Sequence, residues 1–375
     1  MRVMFWSAAF WPSVGGVQHF GGRLVRSLRD RGHDVTVIAE QDAVDLPLED
    51  DYDGVRVARL PLAWRSRQGV GPVADVRQRV GSLKRSFKPQ LVHTNGVSDS
   101  DFFHHETAGV SPSPWLVTLH GTWADDRRLL VQRTLRSADW VSGCSQWIVE
   151  RGRRLAPEIR ERSSVIPNGS EEPSLAPAPL PFETPRLLYL GRLSPEKRVD
   201  LLLDALADLV AQHPSIEFVI AGDGPEREAL VLQAARSGLE NRVRFLGWIA
   251  SVDVPALINS ATVVLLASEQ EAFGLAALEA AFMARPVVAP RRGGLSEIIE
   301  HERTGILVDR LAGGDLAKAV SRLLKHPELA SGMGEAARAR ARTDFDWESC
   351  VDAYEALYEK LVTVHGNGLS EARHV

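Results

Sequence analysis

The sequence predicts an α/β protein built from two successive doubly wound parallel sheets. Three observations carry this reading: short apolar runs alternate with amphipathic segments, a proline-rich stretch interrupts the rhythm near the middle, and the same rhythm then restarts. A chain of 375 residues is about twice the usual single-domain size, so two cores are expected.

The first half opens on VMFW, followed by GGVQHFGGRLVRSLRDRGH. Here Phe20, Leu24, Val25 and Leu28 fall at helical spacing and Gly32 marks the stop. The β-branched run VTVIAE reads as the next strand. VRVARL (from Val55), LVHT (from Leu91), WLVTLH (from Trp115) and WVSGCS (from Trp140) continue the series. The opening RVMFWSAAFW lacks an extended basic region and a small-residue cleavage site, and Pro12 and Gly15-Gly16 interrupt it. It reads as the first strand rather than a signal peptide.

After VIPNG, the stretch 170–185 carries Pro173, Pro177, Pro179, Pro181 and Pro185, a density that neither a helix nor a central strand tolerates. It is expected to be an extended linker between a domain of residues 1–169 and one of residues 186–346. In the second half LLYLG (from Leu187) and FVIAG (from Phe218) are nearly all apolar, as strands covered on both faces should be. The tail places Trp347, Val351, Tyr354, Leu357, Tyr358 and Leu361 on one helical stripe, expected over 347–362, with the last dozen residues frayed.

Composition narrows the function classes. A formal net charge of −5 gives no support to nucleic-acid binding. Cys144 and Cys350 make neither a disulfide framework nor a zinc cluster, which fits a reducing, cytoplasmic compartment. No run reaches the roughly 18 apolar residues of a membrane span. There is no Asp-x-Asp motif set after a strand, no G-x-S-x-G nucleophile and no His/Cys cluster, so no metal or other cofactor is expected.

In doubly wound sheets, ligands bind beyond the carboxyl ends of the strands, and the candidate motifs sit there. Gly15-Gly16 follows the first strand and opens a helix, where backbone amides and the dipole suit an anion; a tight turn explains the pair equally well. In LGRLSPEK, Arg192 and Lys197 can neutralise a diphosphate, Arg through a two-pronged planar contact and Lys as a point charge. In EAFGLAALEAA, Glu271 precedes a helix opened by Phe273-Gly274, where it can accept hydrogen bonds from sugar hydroxyls. The first-turn amides at Gly274 and Leu275 suit a phosphate. Glu279 is a lone charge in an apolar helix, costly unless something pairs with it, and a ribose diol or a base would serve. AGDGPE reads as a structural turn capped by Asp223, and RRGGLSE as a further glycine turn before a short helix. His120 closes the strand WLVTLH and is open to either a core or a catalytic role.

Together, in order, the segments GGVQHFGGRLVRSL, VIPNG, YLGRLSPEKRVDLLLDAL, FVIAGDGPE, EAFGLAALEA, GGLSEII and GILV resemble the retaining glycosyltransferases of the GT-B fold, specifically glycosyltransferase family 4. The resemblance covers nearly the whole chain and is strongest from Val165 to Val308. It implies two Rossmann-like domains facing a central cleft, with the terminal helix crossing back to the first. It implies that Gly16 approaches the donor diphosphate and Arg192 and Lys197 bind it. Glu271 would contact the donor sugar and Glu279 the ribose, with His120 beside the transferred sugar and the base near Trp248 and Ile249. After PNG, Ser170 and Glu171 replace the family's aliphatic residue and Asp.

The implied reaction moves a hexosyl group from a UDP- or GDP-sugar to an acceptor hydroxyl with retention. The acceptor would be a saccharide, a lipid-linked intermediate or a small metabolite. A donor epimerase or hydrolase on the same fold and a non-catalytic nucleotide-sugar binder are the alternatives. From Arg56 to Lys88 nine cations (Arg56, Arg59, Arg65, Arg67, Arg77, Arg79, Lys84, Arg85, Lys88) stand against Asp75, and Arg151, Arg153 and Arg154 follow Trp147. Such a face suits either solvent or peripheral contact with an anionic membrane.

Overall fold

The computed structural model describes residues 1–13, 15–41, 46–62, 70–123 and 125–371. It divides into two compact units, Met1–Asn168 with Glu348–Val375, and Gly169–Trp347.

In the first unit the strands are β1 (Arg2–Ser7), β2 (Asp34–Glu40), β3 (Glu49–Tyr52), β4 (Val55–Leu60), β5 (Leu91–Asn95), β6 (Trp115–Leu119), β7 (Trp140–Gly143) and β8 (Ser163–Val165). Their order in the sheet is β3-β4-β2-β1-β5-β6-β7-β8. Every pairing is parallel except β3 with β4. The apolar runs are buried as two-sided coverage demands: Val3 to Trp6, Leu91, Val92, Leu116 and Val117 have no exposed surface or almost none. Sequence reading missed β3, whose residues EDDY look like solvated chain. Its signal is the turn Asp53-Gly54, both residues with positive φ (51° and 80°), as a two-residue hairpin requires. The acids then guard an exposed sheet edge.

The second unit carries β9 (Arg186–Leu190), β10 (Glu217–Ala221), β11 (Val243–Gly247), β12 (Val263–Leu265), β13 (Val287–Pro290) and β14 (Gly305–Val308), all parallel, in the order β11-β10-β9-β12-β13-β14. Strand order reverses between β9 and β12, which are neighbours. That point is where an open α/β sheet leaves a crevice past its carboxyl ends.

The proline-rich stretch forms no helix or ladder strand and is fastened to the second unit. Asn259 accepts from the Ala178 amide (2.8 Å) and donates to the Ala176 carbonyl (3.1 Å), while Thr262 donates to the Pro181 carbonyl (2.9 Å). Arg285, buried to 1% exposure, donates to the carbonyls of Ala178 and Met283 and to Asn259.

The terminal helix runs Trp347–Glu371, and from Glu348 onward it belongs to the first unit. It runs past the expected end at 362 into the stretch expected to fray, and residues 372–375 lie outside the described residues. Gly366 and Gly368 each weaken a helix by about 1 kcal/mol relative to Ala, too little to end one already anchored upstream. Val351, Tyr354 and Tyr358 are fully buried, and the Tyr358 hydroxyl lies 2.6 Å from Nδ1 of His93 on β5. Arg31 bonds Glu348, Asp352 and Glu355 along the same helix.

The basic stretch is not a continuous surface. Arg59 is 1% exposed, bonded to Asp50 and to the Trp11 carbonyl, and Lys84 is fully buried against His104. Arg56 pairs with Glu49, and Arg65 and Arg67 lie outside the described residues. Among the described residues of this stretch, Arg59 and Lys84 thus serve the interior; a buried guanidinium with fixed acceptors costs less than one left unpaired, and burial lowers the pKa of the Lys84 ammonium to about 7.

Candidate active site

The second unit brings Lys197 and Glu271 together at the switch point. Beyond β9 the chain runs Gly191-Arg192-Leu193-Ser194 into a short turn Pro195–Lys197, and Arg198 (φ 48°) reverses it into the helix Val199–Val210. Backbone bonds zip this loop to the one after β10: the Gly191 amide to Ala221 (3.0 Å), Leu193 to Asp223 (2.9 Å) and Glu226 to Leu193 (3.0 Å). The approach is so close that a Cβ at Gly222 would sit 1.9 Å from the Gly191 carbonyl. The loop after β12 joins on the other side, with the Glu269 amide donating to the Glu196 carbonyl at 2.9 Å.

This packing brings Lys197 Nζ within 2.7 Å of Glu271 Oε2, which also accepts from Ser268 Oγ at 3.2 Å. The lysine meets the acid directly, where sequence reading set it toward a diphosphate alone. Glu271 is fixed from behind by the glycine turn after β13. The Gly294 amide donates to the Glu271 carbonyl (2.8 Å), and a Cβ on Gly293 (φ 58°) would lie 2.2 Å from that oxygen. Arg192 is exposed and holds no ion pair among the described residues; the buried Tyr189 hydroxyl donates to its carbonyl at 2.7 Å.

Gly274 (φ 109°) opens the helix Leu275–Phe282, whose first amides have no partners within the helix. Glu279 lies in that helix, and burial pushes its carboxyl up to about 7. Trp248, just past β11, is 60% exposed, with Ile249 half-buried beside it. Sequence reading did not single out Tyr189, Ser268 or Arg198. Arg198, which bonds Asp200 and Glu269, was visible only as a third charge in EKR.

In the first unit His120 follows β6. Its imidazole packs 4.6 Å from the Phe20 ring, and both ring nitrogens are sealed from solvent with no hydrogen-bond partner. Burial pushes its pKa down to about 3, so the ring is neutral at any physiological pH. Gly15 precedes the helix Gly16–Asp30, in extended conformation.

Residues 173–340 match the family of glycosyl transferases group 1, and residues 14–171 match Glycosyltransferase Family 4. An alpha-D-kanosaminyltransferase of Streptomyces kanamyceticus is 34% identical over 342 residues, spanning 84% of this chain and 87% of that protein. A sucrose-phosphate synthase from Thermosynechococcus elongatus superposes with a TM-score of 0.83 at 24% identity, covering 97% of this chain and 99% of that one. HepE of Anabaena, in complex with UDP-glucose, superposes with a TM-score of 0.79 at 22% identity over 96% and 100% of the two chains. Fold and site together define a glycosyltransferase of the GT-B class. Within that class, the chain belongs to glycosyltransferase family 4.

Proposed function

We propose that the protein transfers a hexosyl group from a UDP- or GDP-linked donor to an acceptor hydroxyl, with retention at the anomeric carbon and without a metal. The observation that carries this reading is the cluster at the switch point: Lys197 2.7 Å from Glu271, beside the Arg192 loop and the helix opened by Gly274. A sugar nucleotide suits such a cluster. Its diphosphate takes the two cations and the first-turn amides, its sugar hydroxyls take Glu271, and its ribose takes Glu279. The base rests near Trp248 and Ile249.

Catalysis is then electrostatic. Charge gathers on the diphosphate as the glycosidic bond breaks, and Arg192, Lys197 and the amides at Gly274 and Leu275 are the groups that receive it. Entry of the diphosphate draws Lys197 from Glu271, freeing that carboxylate to accept from the sugar. His120 hydrogen-bonds the transferred sugar as a neutral ring, and its two unpartnered nitrogens support that role. The turn Gly15-Gly16 lets backbone approach the diphosphate closely. UDP-glucose bound to HepE supports the UDP alternative. A cytoplasmic setting fits the reading, and no described helix is long and apolar enough to cross a membrane.

Thermal-shift screening with UDP, GDP and ADP, followed by their sugars, tests the donor. NMR of the product's anomeric proton tests retention, and turnover in excess EDTA tests the absence of a metal. An inverted product, or loss of turnover restored by a divalent cation, overturns the corresponding part.

A further inference from the structure

We propose that Arg151, clamped between Trp123 and Trp147, is an oxyanion subsite of the first unit that takes a phosphate group carried by the acceptor. The word acceptor rests on the glycosyltransferase reading; the subsite itself rests on geometry. Arg151 Cζ lies 5.1 Å from the Trp123 ring centroid and 5.7 Å from that of Trp147. Trp123 stands four residues past the end of β6. Trp147 and Arg151 are one helical turn apart on the helix Gln146–Leu155 that follows β7, so all three belong to the carboxyl end of the sheet.

Among the described residues the guanidinium has no counter-charge. Glu150, next to it in sequence, accepts from Arg153 (2.7 Å) and from Gln146 (3.0 Å). Among the described residues no carboxylate comes within ion-pair distance of Arg151, and its Nε is sealed from solvent without a partner. Arg154 nearby is exposed and likewise unpaired. Indole rings against a guanidinium strip water from it and leave its terminal nitrogens, which are not sealed as Nε is, to bind. Those nitrogens match two oxygens of one phosphate, and the desolvated flanks strengthen the contact. A purely structural tie would need no such uncompensated charge.

The test follows the indole N–H signals of Trp123 and Trp147 by NMR, assigned with W123F and W147F, as inorganic phosphate is added to the full-length protein. A saturable shift of these two signals and not of Trp248 is expected. Arg151→Met should weaken it at least tenfold and Arg151→Lys less, since charge persists without the flat fork. Glycerol 3-phosphate in solution, and vesicles of phosphatidylglycerol against phosphatidylcholine, then tell the sources apart. Displacement by glycerol 3-phosphate alone marks a soluble acceptor, and Arg151-dependent sedimentation with phosphatidylglycerol marks a lipid one. Signals unmoved at tens of millimolar phosphate, or moved alike in R151M, overturn the proposal. UDP affinity, read separately, reports on the second unit, and its loss from the wild type strikes the donor reading and leaves the Arg151 result standing; an unchanged calorimetric transition of the first unit in R151M verifies that unit's folding.

Discussion

Lys197 and Glu271 are each about one-fifth exposed and joined at 2.7 Å, so their pairing adds only modest stability. On the proposed reading, their value lies in a charge held ready for the donor. Lys197→Ala should therefore lower kcat by roughly 100-fold or more, the usual loss when one preorganised donor is removed, with Tm changed by a few degrees at most. Steady-state kinetics beside a melting curve check this, and near-normal turnover removes Lys197 from the chemistry. Glu279 makes the opposite trade. Its folded value near 7 lies above the ordinary 4.5, so the folded chain holds the proton more tightly than the unfolded one. The group thus subtracts stability as pH rises from about 4.5 to about 7, and nothing further above that, by at most roughly 3 kcal/mol. Glu279→Gln should melt higher than the wild type at pH 8, match it near pH 4.5, and bind UDP about tenfold more weakly. Melts at both pH values with a UDP titration decide; unchanged UDP affinity ends the ribose assignment.

At the scale of elements, the site is a set of loops pressed backbone to backbone, and glycine permits the contact. Gly293→Ala adds a Cβ 2.2 Å from the Glu271 carbonyl at a φ of 58°, so the Glu271 loop must move. Activity is expected to fall at least tenfold and Tm by several degrees, read by kinetics and calorimetry; full activity would mean the loop absorbs the methyl. These elements explain what was legible in the sequence. Two-faced strands announce themselves as apolar runs, and strand-end motifs such as LGRLSPEK and EAFGLAALEA carry their chemistry in residue type. What stayed hidden depends on partners distant in sequence. The acidic β3 is a strand because β4 lies beside it. Lys84 and Arg59 read as surface because nothing local reveals the histidine and aspartate that meet them inside. The Lys197–Glu271 bond spans 74 positions and emerges only when β9 and β12 become neighbours.

At the scale of the molecule, the second unit is one continuous segment, whereas the first is closed by the chain's last helix. That helix is held by Tyr358, whose hydroxyl meets His93, itself bonded to Thr118 on β6 at 2.7 Å. The histidine is fully buried and burial holds it neutral, so loss of the tyrosine hydroxyl leaves a ring nitrogen with no solvent to turn to. Tyr358→Phe should cost about 1–3 kcal/mol, charged to the first unit. UDP at 100 times its Kd should add about 2.7 kcal/mol to whichever fold binds it, on the proposed reading the second unit. Scanning calorimetry can separate the two effects. The tyrosine variant should lower one transition and UDP should raise the other, the two shifts adding in the variant with UDP because the altered residues share no partner. If UDP instead raises the transition that Tyr358→Phe lowers and leaves the other in place, the nucleotide is held by the first unit, and the switch point of the second is not the donor site.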